Sequence, residues 1–383
     1  MSIITPHPIA VPQADLDDLR ERLRRTRWPE RETVPDWSQG IPLAYVQELC
    51  AYWAEEYDWR RCEAELNRYE QLRFVPEVGA PDRVGIQVLH APSPHTGAVP
   101  LVLTHGWPGS VVEFLDVIEV LRDPTIDGGD PADAFHVVCP TMPGYGFSDK
   151  PTATGWGVER IADAWVELMS ALGYERFGAQ GGDWGSAVTT AIGLRHPDRC
   201  IGIHVNMVTA GPGKDAGELT EQEQAALARL EEHRRWGTGY STQQSTRPQT
   251  LGYGLVDSPA GQAAWIVEKF WAWADHDGHP EDIFSRDRLL DNVMHYWLPA
   301  AGASSARLYW ESFNTFGARE PVSVPAGMSI FPKEIFTPSR RWAERRFTDI
   351  REWREHDRGG HFAAFEQPAA FVDDVRAFFR HVR

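Results

Sequence analysis

Gly181-Gly182-Asp183-Trp184-Gly185-Ser186 is the stretch of this chain best equipped for chemistry. A strand-like apolar segment (175–180) leads into it and a helix-like segment (187–195) leaves it. Glycines 181 and 185 flank Asp183 at the spacing of a nucleophile elbow, a tight strand-to-helix turn that thrusts one side chain out at the edge of a sheet. A serine at that apex attacks a carbonyl and makes an acyl-enzyme. A carboxylate is suited instead to displacing a leaving group from saturated carbon, which leaves an alkyl ester. The plainer role for Asp183 is to cap the helix that follows. The flanking glycines and the preceding strand favour catalysis.

Turnover of such an ester needs three more pieces. His105-Gly106-Trp107-Pro108-Gly109 directly follows an apolar strand (99–104), where an oxyanion loop belongs. The backbone N–H groups of Trp107 and Trp184 are the expected donors, and losing one such donor typically costs about 10²–10³ in rate. His361, in Arg358-Gly359-Gly360-His361-Phe362, is the candidate base. An acid must orient it. Glu334 lies just past the strand at 324–331, with Asp349 and Asp357 as competitors. Asn206 ends another strand (200–205), so no carboxylate occupies that alternative position. The order nucleophile, acid, histidine is that of α/β-hydrolases.

Taken together, HGWPGS, PGYGFS, GGDWGS, FPKEI and RGGHFAAFEQP resemble the motifs of the epoxide hydrolases of the α/β-hydrolase superfamily, the microsomal type in particular. The resemblance spans nearly the whole chain. It includes an N-terminal segment with Val11-Pro12, Asp15-Leu16, Arg22-Leu23 and Arg27-Trp28-Pro29. It implies Asp183 as nucleophile, Glu334 as acid and His361 as base. It also implies two lid tyrosines, Tyr240 within Gly239-Tyr240-Ser241 and Tyr309 within Arg307-Leu308-Tyr309-Trp310-Glu311, with Tyr253 a nearby decoy. On residue type alone, a tyrosine in a helical lid is more often packing than catalysis. Trp107, Trp184 and Phe147 are expected to contact substrate. Members of the family that sit in membranes carry an N-terminal anchor that this sequence lacks, so a soluble relative is expected.

The implied reaction opens an apolar epoxide, aryl or otherwise bulky, to a vicinal diol with water as co-substrate and no metal or organic cofactor. A haloalkane dehalogenase is the nearest alternative, because it shares the Asp-Trp pair. Its lid cradles halide, whereas paired tyrosines protonate an alkoxide. A catalytically inactive small-molecule binding protein on the same fold is the alternative from another class. A serine esterase is disfavoured, since Ser186 lies three residues past the apex.

The elements that must position these residues alternate strand and helix from 99 to 205, which implies a mostly parallel sheet flanked by helices. Four segments are expected: an N-terminal extension (1–92), a first part of the core (93–212), a helical lid (213–315) and a second part of the core (316–383). In the extension, 15–25, 41–57 and 59–72 read as helices and 83–90 as a strand. The lid shows no convincing strand. Strands return at 324–331 and 351–355, and 368–380 reads as a closing amphipathic helix.

Composition sets the outer limits. The chain has 383 residues, with Lys+Arg 38 against Asp+Glu 55 and a net charge of -17, which argues against nucleic acid and anionic membrane as partners. Its 16 Trp exceed what a core needs, so some are expected to line an apolar pocket. Cys50, Cys62, Cys139 and Cys200 show no C-x-x-C spacing and fit buried thiols in a reducing cytoplasm. No signal peptide and no membrane-spanning run is expected. A homodimer is expected on base rate.

Overall fold

In the computed structural model, residues 2–78, 81–213, 217–313 and 320–383 are described. Nine strands form one sheet: β1 Ile3–Pro6, β2 Glu70–Val75, β3 Ile86–Ala91, β4 Val99–Thr104, β5 Phe135–Pro140, β6 Phe177–Gly181, β7 Cys200–Val205, β8 Ala326–Ile330 and β9 Ile350–Glu355. Their order is β1-β2-β3-β5-β4-β6-β7-β8-β9. β1, β2, β3 and β5 pair antiparallel in turn. From β5 through β4, β6, β7 and β8 to β9 every pairing is parallel. Parallel strands deliver their carboxyl ends to one edge, where ligands of open α/β sheets bind. The turns after β4, β6, β8 and β9 carry Trp107, Asp183, Glu334 and His361, so four distant sequence segments converge there.

The helices before the lid are α1 Gln13–Arg24, α2 Leu43–Glu55, α3 Trp59–Leu66, α4 Leu115–Arg122, α5 Val158–Ala171 and α6 Asp183–Arg195. The lid holds α7 Glu221–Glu232, α8 Gly239–Thr246, α9 Pro248–Asp257, α10 Pro259–Trp273, α11 Arg286–Trp297 and α12 Gly302–Ser312. Short α13 Arg340–Ala343 and α14 Ala363–Glu366 precede α15 Pro368–Phe379. Glycines in β6, β7 and β8 let α15 lie close on the sheet. A Cβ at Gly178 would meet the Phe379 ring at 2.2 Å, and one at Gly327 would meet Phe378 at 2.4 Å. No described helix is long and apolar enough to cross a membrane.

One expectation for the first 92 residues needs correction. The helix expected over 59–72 ends at Leu66, and β2 begins at Glu70. Cys62, Leu66 and Tyr69 mimic a continuing helical face, but Leu72 and Phe74 are buried by pairing with β1 and β3. Tertiary pairing here overrides local periodicity. β1 is a four-residue edge strand, too short and too exposed to leave an alternating pattern. The expected boundary between lid and second core part, at 315/316, lies outside the described residues.

The N-terminal helices grip the lid through a row of polar contacts. Tyr45, Tyr52 and Tyr57 donate hydroxyl hydrogen bonds to Glu281 (2.9 Å), Asp287 (2.8 Å) and Asp291 (2.8 Å). Arg61 also reaches Asp291 at 2.6 Å, and Arg288 holds Glu65 through both carboxylate oxygens at 2.7 and 2.9 Å. Asp291 is wholly buried, so its charge depends on these partners. Without Asp291 the buried Tyr57 hydroxyl loses its acceptor, while Arg61 and Arg288 keep other carboxylate partners. Asp291→Ala should therefore lower unfolding free energy by about 2 kcal/mol, read from the shift in a urea unfolding midpoint.

Candidate active site

The elbow is built by close approach of backbone. A Cβ at Gly185 would fall 1.9 Å from the Thr104 carbonyl oxygen, so only glycine lets α6 start this close to the end of β4. A Cβ at Gly106 would fall 2.3 Å from the Asp183 Cβ, which makes residue 106 a thin wall beside the carboxylate. Asp183 takes φ +50°, left-handed backbone that a non-glycine residue holds at a cost of about 1–3 kcal/mol. The helix begins at Asp183 itself, four residues earlier than the sequence pattern places it. Its carboxylate thus sits at the positive end of a helix of 13 residues.

The catalytic groups meet around that carboxylate. The Trp107 N–H donates to Asp183 Oδ1 at 2.8 Å. His361 Nε2 lies 3.4 Å from Asp183 Oδ2, and His361 Nδ1 lies 2.7 Å from Glu334 Oε1. Glu334 is itself oriented by the Ile335 N–H at 2.7 Å. Asp349 pairs instead with exposed Arg351, and Asp357 is exposed, so neither competitor reaches the imidazole. Burial disfavours the charged imidazole. The Glu334 carboxylate and the contact with Asp183 outweigh it and hold the His361 pKa well above its ordinary value. The resting site is therefore an imidazolium between two carboxylates.

Lid helices α8 and α12 pack together and carry Tyr240 and Tyr309. Their ring centroids are 5.8 Å apart. Trp107 stacks on Tyr240 at 5.0 Å, and the Trp184 ring meets Tyr309 edge-on at 4.8 Å. Burial and the Asp183 charge raise the Tyr240 pKa, with hydrogen bonding to Tyr309 acting in the opposite sense. Burial, then Tyr240 and Asp183, raise that of Tyr309. Both phenols therefore keep their protons at neutral pH. Tyr253 is exposed and takes no part.

Asp183, Trp184, Tyr240 and Tyr309 line a cavity of about 910 Å³, together with apolar Met207, Val208, Leu230, Phe313 and Trp342. Phe147 is not among its walls. That ring packs 5.5 Å from His295 and 6.2 Å from Trp59, and it borders a separate groove beside Lys150. Phe147 thus lies away from this cavity, and Trp107 lines a smaller cavity at the carboxylate instead. Pairing of β3 with β5 and the turn that follows send Tyr145 inward, beside His105 at 5.5 Å, and direct Phe147 toward α3.

Three further residues at the site were not singled out from the sequence. Trp273, at the end of α10, accepts the His361 N–H at 3.0 Å and sets the edge of its ring 5.0 Å from the imidazole. Lys269 places its ammonium 4.8 Å from the Tyr240 ring centroid. Glu366 accepts the Phe362 N–H at 2.9 Å and the Asp275 N–H at 2.8 Å, tying the histidine loop to the lid. Glu366 alone had a signal, its place in the run after His361.

Similarity to known proteins agrees with this geometry. The family model described as "Epoxide hydrolase N terminus" matches residues 4–114, and the "alpha/beta hydrolase fold" model matches residues 99–235. A Stigmatella aurantiaca (strain DW4/3-1) relative, provisionally named an epoxide hydrolase, is 53% identical over 381 residues, covering 99% of this chain and 86% of that protein. Epoxide hydrolase 1 of Sus scrofa is 32% identical over 402 residues, covering 98% of this chain and 88% of its own length. Among solved structures, the Aspergillus niger epoxide hydrolase superimposes with a TM-score of 0.87 at 31% identity, covering 100% of this chain and 97% of that one. The juvenile hormone epoxide hydrolase of Bombyx mori gives 0.90 at 29% identity, covering 100% and 95%. A chain with this fold, this site and these relatives belongs to the epoxide hydrolases of the α/β-hydrolase superfamily.

Proposed function

We propose that Asp183 is the nucleophile and that the epoxide oxygen is captured by Tyr240 and Tyr309. The observation that carries this reading is the carboxylate held between the Trp107 N–H and His361 Nε2, in a cavity whose lid wall bears two proton-carrying phenols. Asp183 Oδ1 lies in the oxyanion position, so Oδ2 forms the bond to the epoxide carbon. The ring C–O bond breaks as the phenols hydrogen-bond the developing alkoxide and protonate it. The covalent hydroxyalkyl ester carries no charge on Asp183. One of the two carboxylates that hold the imidazole charged is then gone, and His361 gives up its proton to replace the one the phenols donated, which leaves a neutral imidazole able to act as base. Activated water attacks the ester carbonyl, with the Trp107 and Trp184 amides holding the oxyanion, and a vicinal diol leaves.

A cavity of about 910 Å³ with aromatic and aliphatic walls supports an apolar, bulky or aryl epoxide as substrate. Paired tyrosines support epoxide opening over dehalogenation, since a halide needs no proton. The four buried free thiols support a reducing, cytoplasmic compartment. A homodimer is proposed on base rate and is checked by light scattering.

Diol release from styrene oxide tests the scheme. Asp183→Ala should form no diol. His361→Gln should accumulate protein heavier by one substrate molecule, seen by intact mass spectrometry; an unaltered mass with active alkylating substrate contradicts the two-step scheme. The Tyr240→Phe/Tyr309→Phe double variant should lose about 10²–10⁴ in kcat, with chloroalkanes giving no halide in any variant. In Asp183→Asn the His361 pKa should fall toward its ordinary value, because a charge that raises it is removed; nitrogen NMR titration reads the shift.

A further inference from the structure

Ester hydrolysis needs a water beside the Asp183 carbonyl carbon at the moment when the alkyl group occupies the substrate cavity. A second, small cavity of about 20 Å³ lies at the carboxylate. It is lined in part by Gly106, Trp107, Glu113, Asp183, Asn206 and His361. About 10–15 Å³ suffices for one water when polar partners surround it. We propose that this cavity holds the hydrolytic water and that Glu113 is the residue that positions it. The inference rests on the two-step reading above and names a residue that reading does not use.

Glu113 is largely but not fully buried, on the short helical turn Val111–Phe114 that leads into α4. Among the described residues no side chain forms an ion pair with it, and its hydrogen bond within the protein is with the Ser110 backbone. A buried carboxyl with so little support is costly unless something else satisfies it. The cavity it lines supplies that room. A Cβ at Gly109 would fall 1.3 Å from Glu113 Oε1, so the glycine of the oxyanion loop is what admits this carboxyl. Burial, reinforced by Asp183 and opposed by His361, pushes the Glu113 pKa up to about 8. Near neutral pH the side chain is a neutral acid that adds no charge beside the nucleophile. Its carbonyl oxygen accepts one O–H of the water and turns a lone pair toward Asp183.

The step balances. Starting from the alkyl ester with neutral His361, the water oxygen bonds to Asp183 Cγ and its second proton passes to His361 Nε2. The carbonyl electron pair moves onto Oδ1 beneath the Trp107 N–H. Collapse restores the carbonyl and breaks the bond from Cγ to the diol oxygen, which takes the proton from His361. Asp183 is left as the free acid. Its proton passes to His361 and restores the resting ion pair.

The test separates the two chemical steps by rapid-quench single turnover with styrene oxide. Glu113→Leu keeps the bulk of the side chain but cannot hold water. It should form the ester at the wild-type rate and hydrolyse it about 10²-fold more slowly, the scale expected for a misplaced reactant. Glu113→Gln, which retains an acceptor oxygen, should recover most of that loss. Gly109→Ala, which displaces the carboxyl from the other side, should reproduce the Leu defect and carries the test if Glu113→Leu does not fold. Wild-type hydrolysis in both Leu and Ala variants overturns the inference, as does equal slowing of both steps. If His361→Gln traps no ester under the same conditions, the two-step reading itself fails; if it traps ester while the Glu113 variants hydrolyse normally, the role of Glu113 alone fails.

Discussion

A carboxylate can attack carbon only while it is ionised, and the dry cavity that makes it reactive opposes that ionisation. Much of the site follows from this conflict. Asp183 receives the Trp107 N–H, the positive end of α6 and the His361 imidazolium, three compensations supplied by three separate elements. The imidazolium is in turn held by Glu334 and boxed in by Trp273. In the proposed scheme, alkylation then switches the balance. Once Asp183 is an ester, His361 loses one of its two anionic neighbours and turns from counter-ion to base. One charge thus serves both steps.

The scaffold's part is to bring these groups to one place without crowding them. Parallel strands deliver the turns after β4, β6, β8 and β9 to a single edge. Glycines at 106 and 185 let the oxyanion loop and α6 approach within distances that no side chain permits. The lid brings the phenols, and the N-terminal helices hold the lid through Tyr45, Tyr52 and Tyr57. The histidine loop is tied to α10 by Glu366 and by the Trp273 carbonyl. Core and lid are therefore tied together at the site, and the extension braces the lid away from it.

What was legible in the sequence was the chemistry carried by local turns. Asp183 and His361 sit in glycine-framed runs whose backbone demands are visible residue by residue, and the fold brings them within 3.4 Å of each other. Glu334 could be preferred over Asp349 and Asp357 only through the family resemblance, because the choice depends on which carboxylate the fold turns toward the imidazole. β2 was hidden because Tyr69, just before it, continues a helical spacing from Cys62 and Leu66, and only the strand's pairing partners decide otherwise. Phe147 lies away from the cavity, since its place in the PGYGFS run says nothing of the side on which its ring emerges. Glu113 and Lys269 left no trace, since their relation to the site is purely spatial.

The central claim is that water attacks an ester on Asp183 rather than the epoxide itself. Single turnover in ¹⁸O-enriched water, with enzyme in excess over styrene oxide, tests it most directly. The account predicts that the peptide containing Asp183 gains the heavy oxygen while the first diol formed carries none. Heavy oxygen in that first diol, with an unlabelled Asp183 peptide, would contradict it.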